Sequence, residues 1–559
     1  MAILKVGSSG SEVVALQKAL VKLGFNLGST SGTFDAQTRD AVVAFQKSRV
    51  WLVADGIVGS ISQSELNDAV QDIDGESALQ KIASGTQTLD VNAINANAAL
   101  AKKIQKKLKA LGLYPGGKLI DGDFGSRSQK ALIDFCQNLG IPHSVPIQLD
   151  PNTAQALVST PQIPAVLEVR GSDTPQILKK FNDIEQFVGA TDSKLAFLDM
   201  GVEATAYKID IPEYSKRLES TSFLANPTSS HPTLKFNSYP DRGKLPSIDT
   251  TSLQFLDPDI TEACVVIGQL NSGKLEATWL GRNVLKADEC LSATKIIPIL
   301  NVLSQLGSNL PNNFDDLLIQ NQGTVNTTFR FPAALVDIVS SRGGVPQSNA
   351  LARTFKHFSK PQQIEAWIRK QTGNTRTDLN FEGPYGVPAS INLPELFDRS
   401  TNKELLVAPS VTLGRDNDIS VYDLARLMSM TGWHEFLPKT AQIEGIEWRS
   451  LQPFISALGT DTARYVNVAI ETLGLENVIS SPVILSKLGF GQEALVYVAF
   501  VQFVDEHIPT KPKLRTLTMA LRADKNTPGS SDFQAVQIDT KMASAVTEIL
   551  RRIVMEEQL

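Results

Sequence analysis

Residues 289–300 read ECLSATKIIPIL, and the second half of the chain turns on whether this is an ordinary helix start or a serine nucleophile followed by its base. Ser292 stands three positions before Lys295. The spacing of Ile296, Ile299, Leu300 and Leu303 predicts an amphipathic helix, with Pro298 tolerated only in its first turn. Ser292 then lies near the N-terminal mouth, where free backbone N–H groups and the positive dipole end favour developing negative charge. A buried Lys295 can stay neutral and take the serine proton, as acyl transfer requires. The plain alternatives are a serine cap and a lysine snorkelling at the helix edge. Spacing does not decide between them, because Ser400 and Lys403 in DRSTNKEL repeat it in a polar, loop-like stretch.

Immediately upstream, EACVVIGQL and KLEATWLG flank NSG, the pattern of a β-hairpin with a glycine turn. Cys290 is two residues before Ser292, but no histidine is placed to serve it, so it reads as a buried apolar thiol.

The front of the chain repeats itself. SEVVALQKALVKLG (residues 11–24) places Val13, Leu16, Leu20 and Leu23 on one helical face, with Ser11 to cap and Gly24 to stop it. GTFDAQTRDAVVAFQ follows as a turn and a second helix, capped by Asp35 with Ala41, Val42 and Phe45 inward; DGIVGSISQSEL supplies a third. AKKIQKKLKALGLY repeats the first helix 88 positions on (Gln17 to Gln105, Gly24 to Gly112), and DGDFGSRSQKALIDFC repeats the second 90 positions on (Phe34 to Phe124, Phe45 to Phe135), with Cys136 in place of glutamine. Fixed offsets over several landmarks mark an internal repeat.

These front residues resemble the peptidoglycan-binding domain found beside many wall hydrolases, closely over 1–70 and more loosely over 95–160. The resemblance implies a three-helix bundle and a wall peptide or glycan as ligand. The residues around Ser292 resemble the penicillin-recognising serine enzymes, β-lactamases and penicillin-binding proteins, over about 260–559. That family carries Ser-x-x-Lys, Ser-x-Asn and Lys-Thr-Gly in this order. VPQSNALARTF is similar to the second segment, with Asn349 in the asparagine place, and VILSKLGFGQEALVYVAFVQFVD to the third strand and its neighbour, with Lys487 and Gly489 in place. NDISVYDLARLMSM resembles the helix after the site's flanking loop, and KMASAVTEILRRIVMEEQL the terminal helix over the sheet. The resemblance implies Ser292 as nucleophile, Lys295 as base, Asn349 orienting the substrate amide and Lys487 attracting its carboxylate. It also implies an oxyanion hole from the Ser292 N–H and one near residue 490. Gln347 and Leu488 stand where the family has hydroxyls, which implies slowed turnover; Glu382 and Glu395 are the regional candidates for activating a deacylating water. Without the resemblance, Asn349 reads as a helix cap, Lys487 as an edge-strand charge and Gly489 with Gly491 as a bulge.

Composition is ordinary for globular domains: 559 residues, 42% hydrophobic and 20% charged, with 53 basic against 59 acidic side chains and a net charge of −6. No basic run interleaves with aromatics, so nucleic acid is not an expected partner. The start MAILKVGSSG carries no leader pattern and no stretch is long and apolar enough to span a bilayer. Three cysteines without C-x-x-C argue against a disulfide framework, and the five histidines are scattered, so neither metal nor cofactor is expected.

The expected fold class is multidomain α and α/β. Two small three-helix bundles (1–70 and 95–160, linker 71–94) precede an unassigned connector (161–258) and a β-lactamase-like domain of antiparallel sheet flanked by helices (259–559). Three functions stay open: an acyl-serine enzyme acting on stem peptides or β-lactams, a non-catalytic wall-binding protein on that fold, and a leaderless component or cargo of a phage-tail-like particle. Peptidoglycan is the expected partner in each.

Overall fold

The computed structural model describes residues 3–48, 52, 54–110, 113–114, 120–159, 181–182, 185, 195–202, 205–219, 234–323, 327–506, 512–526, 528–557 and 559. It divides into two compact units, Met1–Ala165 and Val166–Leu559.

In the first unit, α1 (Ser11–Lys22) buries Val13, Leu16 and Leu20 on the predicted stripe, although its cap position is Gly10 rather than Ser11. Asp35 caps α2 (Ala36–Lys47), accepting from the Thr38 N–H at 2.8 Å, and Ala41, Val42 and Phe45 are buried as expected. The helix α3 (Ser60–Ala83) does not stop at the expected linker; it runs on through residues 71–83 and places Leu79 and Ile82 in the second bundle's core. Its central Gly75 acts as a close-approach site rather than a breaker. A Cβ there would lie 2.3 Å from the Ala99 carbonyl of α5 (Ala98–Ala110). Lys102, Lys103 and Lys106 of α5 pair with Asp68, Glu76 and Asp72 of α3 at 3.6, 2.8 and 2.6 Å. A short α4 (Val91–Asn95), α6 (Ser126–Asn138) and α7 (Pro151–Ser159) complete the described helices of this unit.

A buried amide at matching positions, Gln17 and Gln105, anchors each copy of the repeat. Gln17 accepts from the Gly32 N–H at 2.9 Å and donates to Thr33 O and Thr38 Oγ1, both at 3.0 Å. Gln105 accepts from Gly122 at 3.0 Å and donates to Asp123 O and Ser128 Oγ at 3.0 and 3.1 Å. The second anchor differs. Gln46 accepts from the Gly56 N–H at 2.9 Å and donates to Ile57 O and Ser62 Oγ, whereas Cys136 has only a 3.9 Å contact with Thr153 Oγ1. Gly112 lies outside the described residues.

The second unit is built on a six-stranded antiparallel sheet. Its strands are β1 (Asn237–Ser238), β2 (Ile260–Asn271), β3 (Lys274–Arg282), β4 (Ile479–Phe490), β5 (Ala494–Asp505) and β6 (Lys513–Asp524), ordered β1-β3-β2-β6-β5-β4. The predicted hairpin joins β2 to β3 through Ser272 and Gly273, both at positive φ (52° and 75°), the two-residue turn whose twist suits the strands. All twelve residues of β5 are buried, so both sheet faces are covered. On one face Tyr497, Val501, Met519 and Val265 pack with residues of α11 (Tyr465–Thr472) and α12 (Ser531–Met555). On the other, Phe500 meets Trp433 edge-on at 5.7 Å, just past α10 (Val421–Gly432). Residues 161–258, expected to be a connector, are in part core: Phe197, Leu198, Met200, Tyr207, Leu253 and Leu256 join the α11–α12 layer, and β1 extends the sheet. Their apolar residues follow no helical or strand period, so packing rather than pattern places them. The Pro- and Ser-rich residues 220–233 lie outside the described set.

Candidate functional site

A hairpin, a turn and an edge strand bring the predicted residues together. Leu291–Lys295 forms a 3₁₀ turn leading into α8 (Ile296–Leu306), with Pro298 in its first turn as expected. Leu291 at the turn's entrance has φ 52°, a left-handed conformation that costs a non-glycine residue on the order of 1 kcal/mol. Ser292 is half-buried, caps nothing, and its hydroxyl has no hydrogen-bond partner among the described residues.

Lys295 is 1% exposed and points at α9 (Val345–Lys356), donating to Ser348 Oγ at 2.8 Å and to Asn349 Oδ1 at 2.6 Å. Asn349 is thus a lysine partner inside the helix rather than its cap. The Ser348 hydroxyl donates in turn to Ile338 O at 2.9 Å. Burial, reinforced by the positive charge of Lys487, pushes the Lys295 ammonium down to about 6.

Lys487 and Gly489 share one face of β4. Lys487 is 2% exposed and donates to Leu488 O at 2.9 Å; burial lowers its pKa, opposed by the buried Asp461. Asp461 accepts from Ser486 Oγ at 2.9 Å, and burial raises its own pKa. A Cβ on Gly489 would lie 2.7 Å from Cys290 O and 2.8 Å from the Ala293 N. Only glycine lets the edge strand seat against the Ser292 turn. Alternation turns Leu488 to the opposite face, against the α11–α12 core.

The remaining sequence candidates fall elsewhere. Gln347 packs against the Gly343 turn, 3.0 Å from the position of a Cβ there. Glu382 accepts from Gln362 at 2.9 Å, and Glu395 is held by Gln320 at 2.7 Å within a separate four-stranded sheet. Cys290 donates to Ile419 O at 3.2 Å, and burial pushes its thiol up, so it remains a thiol. Ser400 bonds Asp398 at 2.6 Å in a surface hairpin, and Lys403 is exposed.

Two residues at the site escape the sequence patterns. Ser348 is one position off the serine of Ser-x-Asn. Tyr385 is 9% exposed, its OH 3.2 Å from Thr294 Oγ1 and its ring centroid 5.7 Å from Lys295 Nζ.

Comparison with known proteins bears on residues 9–61 of the first unit. The family described as "Putative peptidoglycan binding domain" matches residues 9–61. The chain is 35% identical over 139 residues to a "Probable N-acetylmuramoyl-L-alanine amidase" of Bacillus licheniformis, over 24% of this chain and 38% of that protein. It is 30% identical over 148 residues to the amidase CwlM of Mycobacterium tuberculosis, over 25% and 33%. The chain thus spans under two fifths of the length of these relatives. Among solved structures, a β-lactamase of Streptosporangium roseum is similar at 13% identity and TM-score 0.33, covering 53% of this chain and 96% of that one. PBP-A is similar at 12% and 0.32, covering 55% and 100%. The N-terminal unit therefore carries a domain of the peptidoglycan-binding type, ahead of a helix-flanked antiparallel sheet domain. No helix among the described residues is long and apolar enough to cross a membrane.

Proposed function

We propose that the chain binds cell-wall peptidoglycan through its first unit and forms an acyl-ester at Ser292 with stem peptides or β-lactams. The observation that carries this reading is the environment of Lys295. A neutral lysine has two N–H groups and one lone pair; Ser348 and Asn349 accept the two N–H groups, leaving the lone pair for the Ser292 proton. Ser292 Oγ attacks the carbonyl carbon, its proton passes to Lys295, the carbonyl C–N bond breaks, and Lys295 returns the proton to the leaving nitrogen. Lys487 attracts the substrate carboxylate and Asn349 orients its amide. The Gly491 N–H bonds Ala494 O, so alternation turns the Phe490 N–H outward on the edge strand, where with the Ser292 N–H it forms the oxyanion hole.

A second reading, a non-catalytic wall-binding protein on the same fold, draws on the unpartnered Ser292 hydroxyl. One experiment separates the two: incubation with a fluorescent penicillin followed by intact-mass measurement, with Ser292→Ala as control. An adduct absent from the variant supports the acyl-serine reading; no adduct at high concentration supports the other. Retention of the protein on purified sacculi, lost when the first unit is deleted, tests wall binding independently.

A further inference from the structure

Phe381, which ends a short strand, and the loop residues 382–385 after it gather their backbone around one buried lysine, whose pKa burial lowers to about 7. Lys356, at the C-terminal end of α9, is fully buried and donates to Phe381 O, Gly383 O and Asn417 Oδ1 at 3.1, 2.7 and 2.6 Å. Its Nζ also lies 3.8 Å from the Phe381 ring centroid. Asn417 closes the loop by donating to Pro384 O at 3.2 Å. The next residue is Tyr385, whose ring centroid is 5.7 Å from Lys295 Nζ and 5.7 Å from Lys356 Nζ. Its hydroxyl meets Thr294, between Ser292 and Lys295 in the same turn. The helix that supplies Ser348 and Asn349 to Lys295 therefore also holds, through its other end, the loop that roofs Lys295.

We propose that Tyr385, held in place by Lys356, is a positioning residue: its ring keeps water from Lys295 so that the amine stays unprotonated and able to take the Ser292 proton. This rests on the acyl-serine reading. The groups facing Lys295 are Ser348 and Asn349 from α9, Tyr385 from the loop and Lys487 from β4, with Asp461 behind Lys487. Of these, Lys487 is the charge that disfavours protonation and Tyr385 the apolar cover. An aromatic ring can stabilise a cation held over its face, but two neutral hydrogen-bond acceptors and a second lysine give this cation no counter-charge, so desolvation wins.

The test is the pH profile of penicillin acylation in the full-length protein, followed by intact mass, together with an NMR titration of the lysine side-chain resonances. In the unaltered protein the acylation rate should rise through a midpoint near the Lys295 value of about 6. Tyr385→Ala should move that midpoint up by about one pH unit or more and slow acylation at pH 6 by roughly tenfold. Tyr385→Phe, which keeps the ring and loses only the Thr294 contact, should restore the original midpoint. Lys356→Met, which frees the loop but leaves the ring, should shift it upward by less, and decides the matter if Tyr385→Ala does not fold. A midpoint unmoved in folded Tyr385→Ala, or in Lys356→Met where that stands in, overturns the proposal; so does a profile in which Tyr385→Phe behaves like Tyr385→Ala. Absence of any adduct in the unaltered protein would instead overturn the acyl-serine reading, and the NMR titration would still report whether the ring holds Lys295 neutral.

Discussion

Ser292 with Lys295 and Ser400 with Lys403 share a spacing and nothing else. The first pair lies on a 3₁₀ turn under an edge strand, its lysine 1% exposed and bonded to Ser348 and Asn349. The second straddles a surface hairpin, its serine bonded to Asp398 and its lysine in solvent. Burial lowers the pKa of the first lysine to about 6. What separates the pairs is therefore the desolvation that the rest of the domain imposes on one amine. The largest expected effect follows directly. Lys295→Ala should lower the rate of covalent labelling by penicillin by about 10²–10⁴-fold, while Lys403→Ala leaves it unchanged. Equal effects would erase the distinction.

How much of this could be read from the sequence depends on how local the cause is. The β2–β3 hairpin, the Asp35 cap and the α1 stripe were legible because each rests on a few neighbouring residues. The motif singles out Lys487 and Gly489 without their surroundings, and the close approach of Gly489 to Cys290 O gives that glycine a packing reason of its own. Ser348 was not, because the pattern looks for a hydroxyl at position 347, whereas the helix turns the side chain at 348 toward Lys295. Tyr385 and Lys356 were hidden for a different reason: one sits in an irregular loop and the other resembles any lysine at a helix end. Only the three-dimensional fold shows that a ring and two lysine side chains share one space. Within 161–258, the expected connector of unassigned structure, the core positions Phe197, Leu198, Met200, Tyr207, Leu253 and Leu256 are hidden on the same ground, since a chain that packs irregularly leaves no period to detect.

The seating of the edge strand sharpens the comparison next. Gly489→Ala would force its Cβ onto the backbone at Cys290 and Ala293, at 2.7 and 2.8 Å, and displace the turn that carries Ser292. Gly491→Ala meets only the end of the Leu291 side chain, at 2.7 Å, which can rotate away. Displacement of a reacting group by about 1 Å costs on the order of 10²-fold in rate. Acylation should therefore fall by about that factor in Gly489→Ala and by less than about threefold in Gly491→Ala, measured by the same mass assay.

Burial also sets a pH dependence away from the site. His434 is fully buried, stacked on Trp448 at 6.2 Å, with neither ring nitrogen hydrogen-bonded among the described residues. Burial depresses its pKa from 6.5 to about 4, with the Lys439 charge adding to the effect. The folded value lies below the unfolded one, so the unfolded chain binds the proton more readily and stability falls as pH drops below about 6.5, levelling off below about 4. The full loss is on the order of 3 kcal/mol. Thermal melting of the second unit should show this acid sensitivity, and His434→Phe should flatten it over the same window.

The smallest expected effect compares the two front bundles at the position where Gln46 in the first is matched by Cys136 in the second. Gln46 accepts the Gly56 N–H and bonds Ile57 O and Ser62 besides. Gln46→Ala leaves that buried donor without an acceptor, a loss of about 1–3 kcal/mol. Cys136 makes one long contact with Thr153 and otherwise fills apolar space, so Cys136→Ala removes a small side chain and a weak hydrogen bond, about 1 kcal/mol. The first unit's melting transition in the full chain should therefore drop more for Gln46→Ala. The reverse order would mean that the thiol contact, and not the amide, is the stronger tie, and that the second copy had gained rather than lost an anchor when cysteine took the place of glutamine.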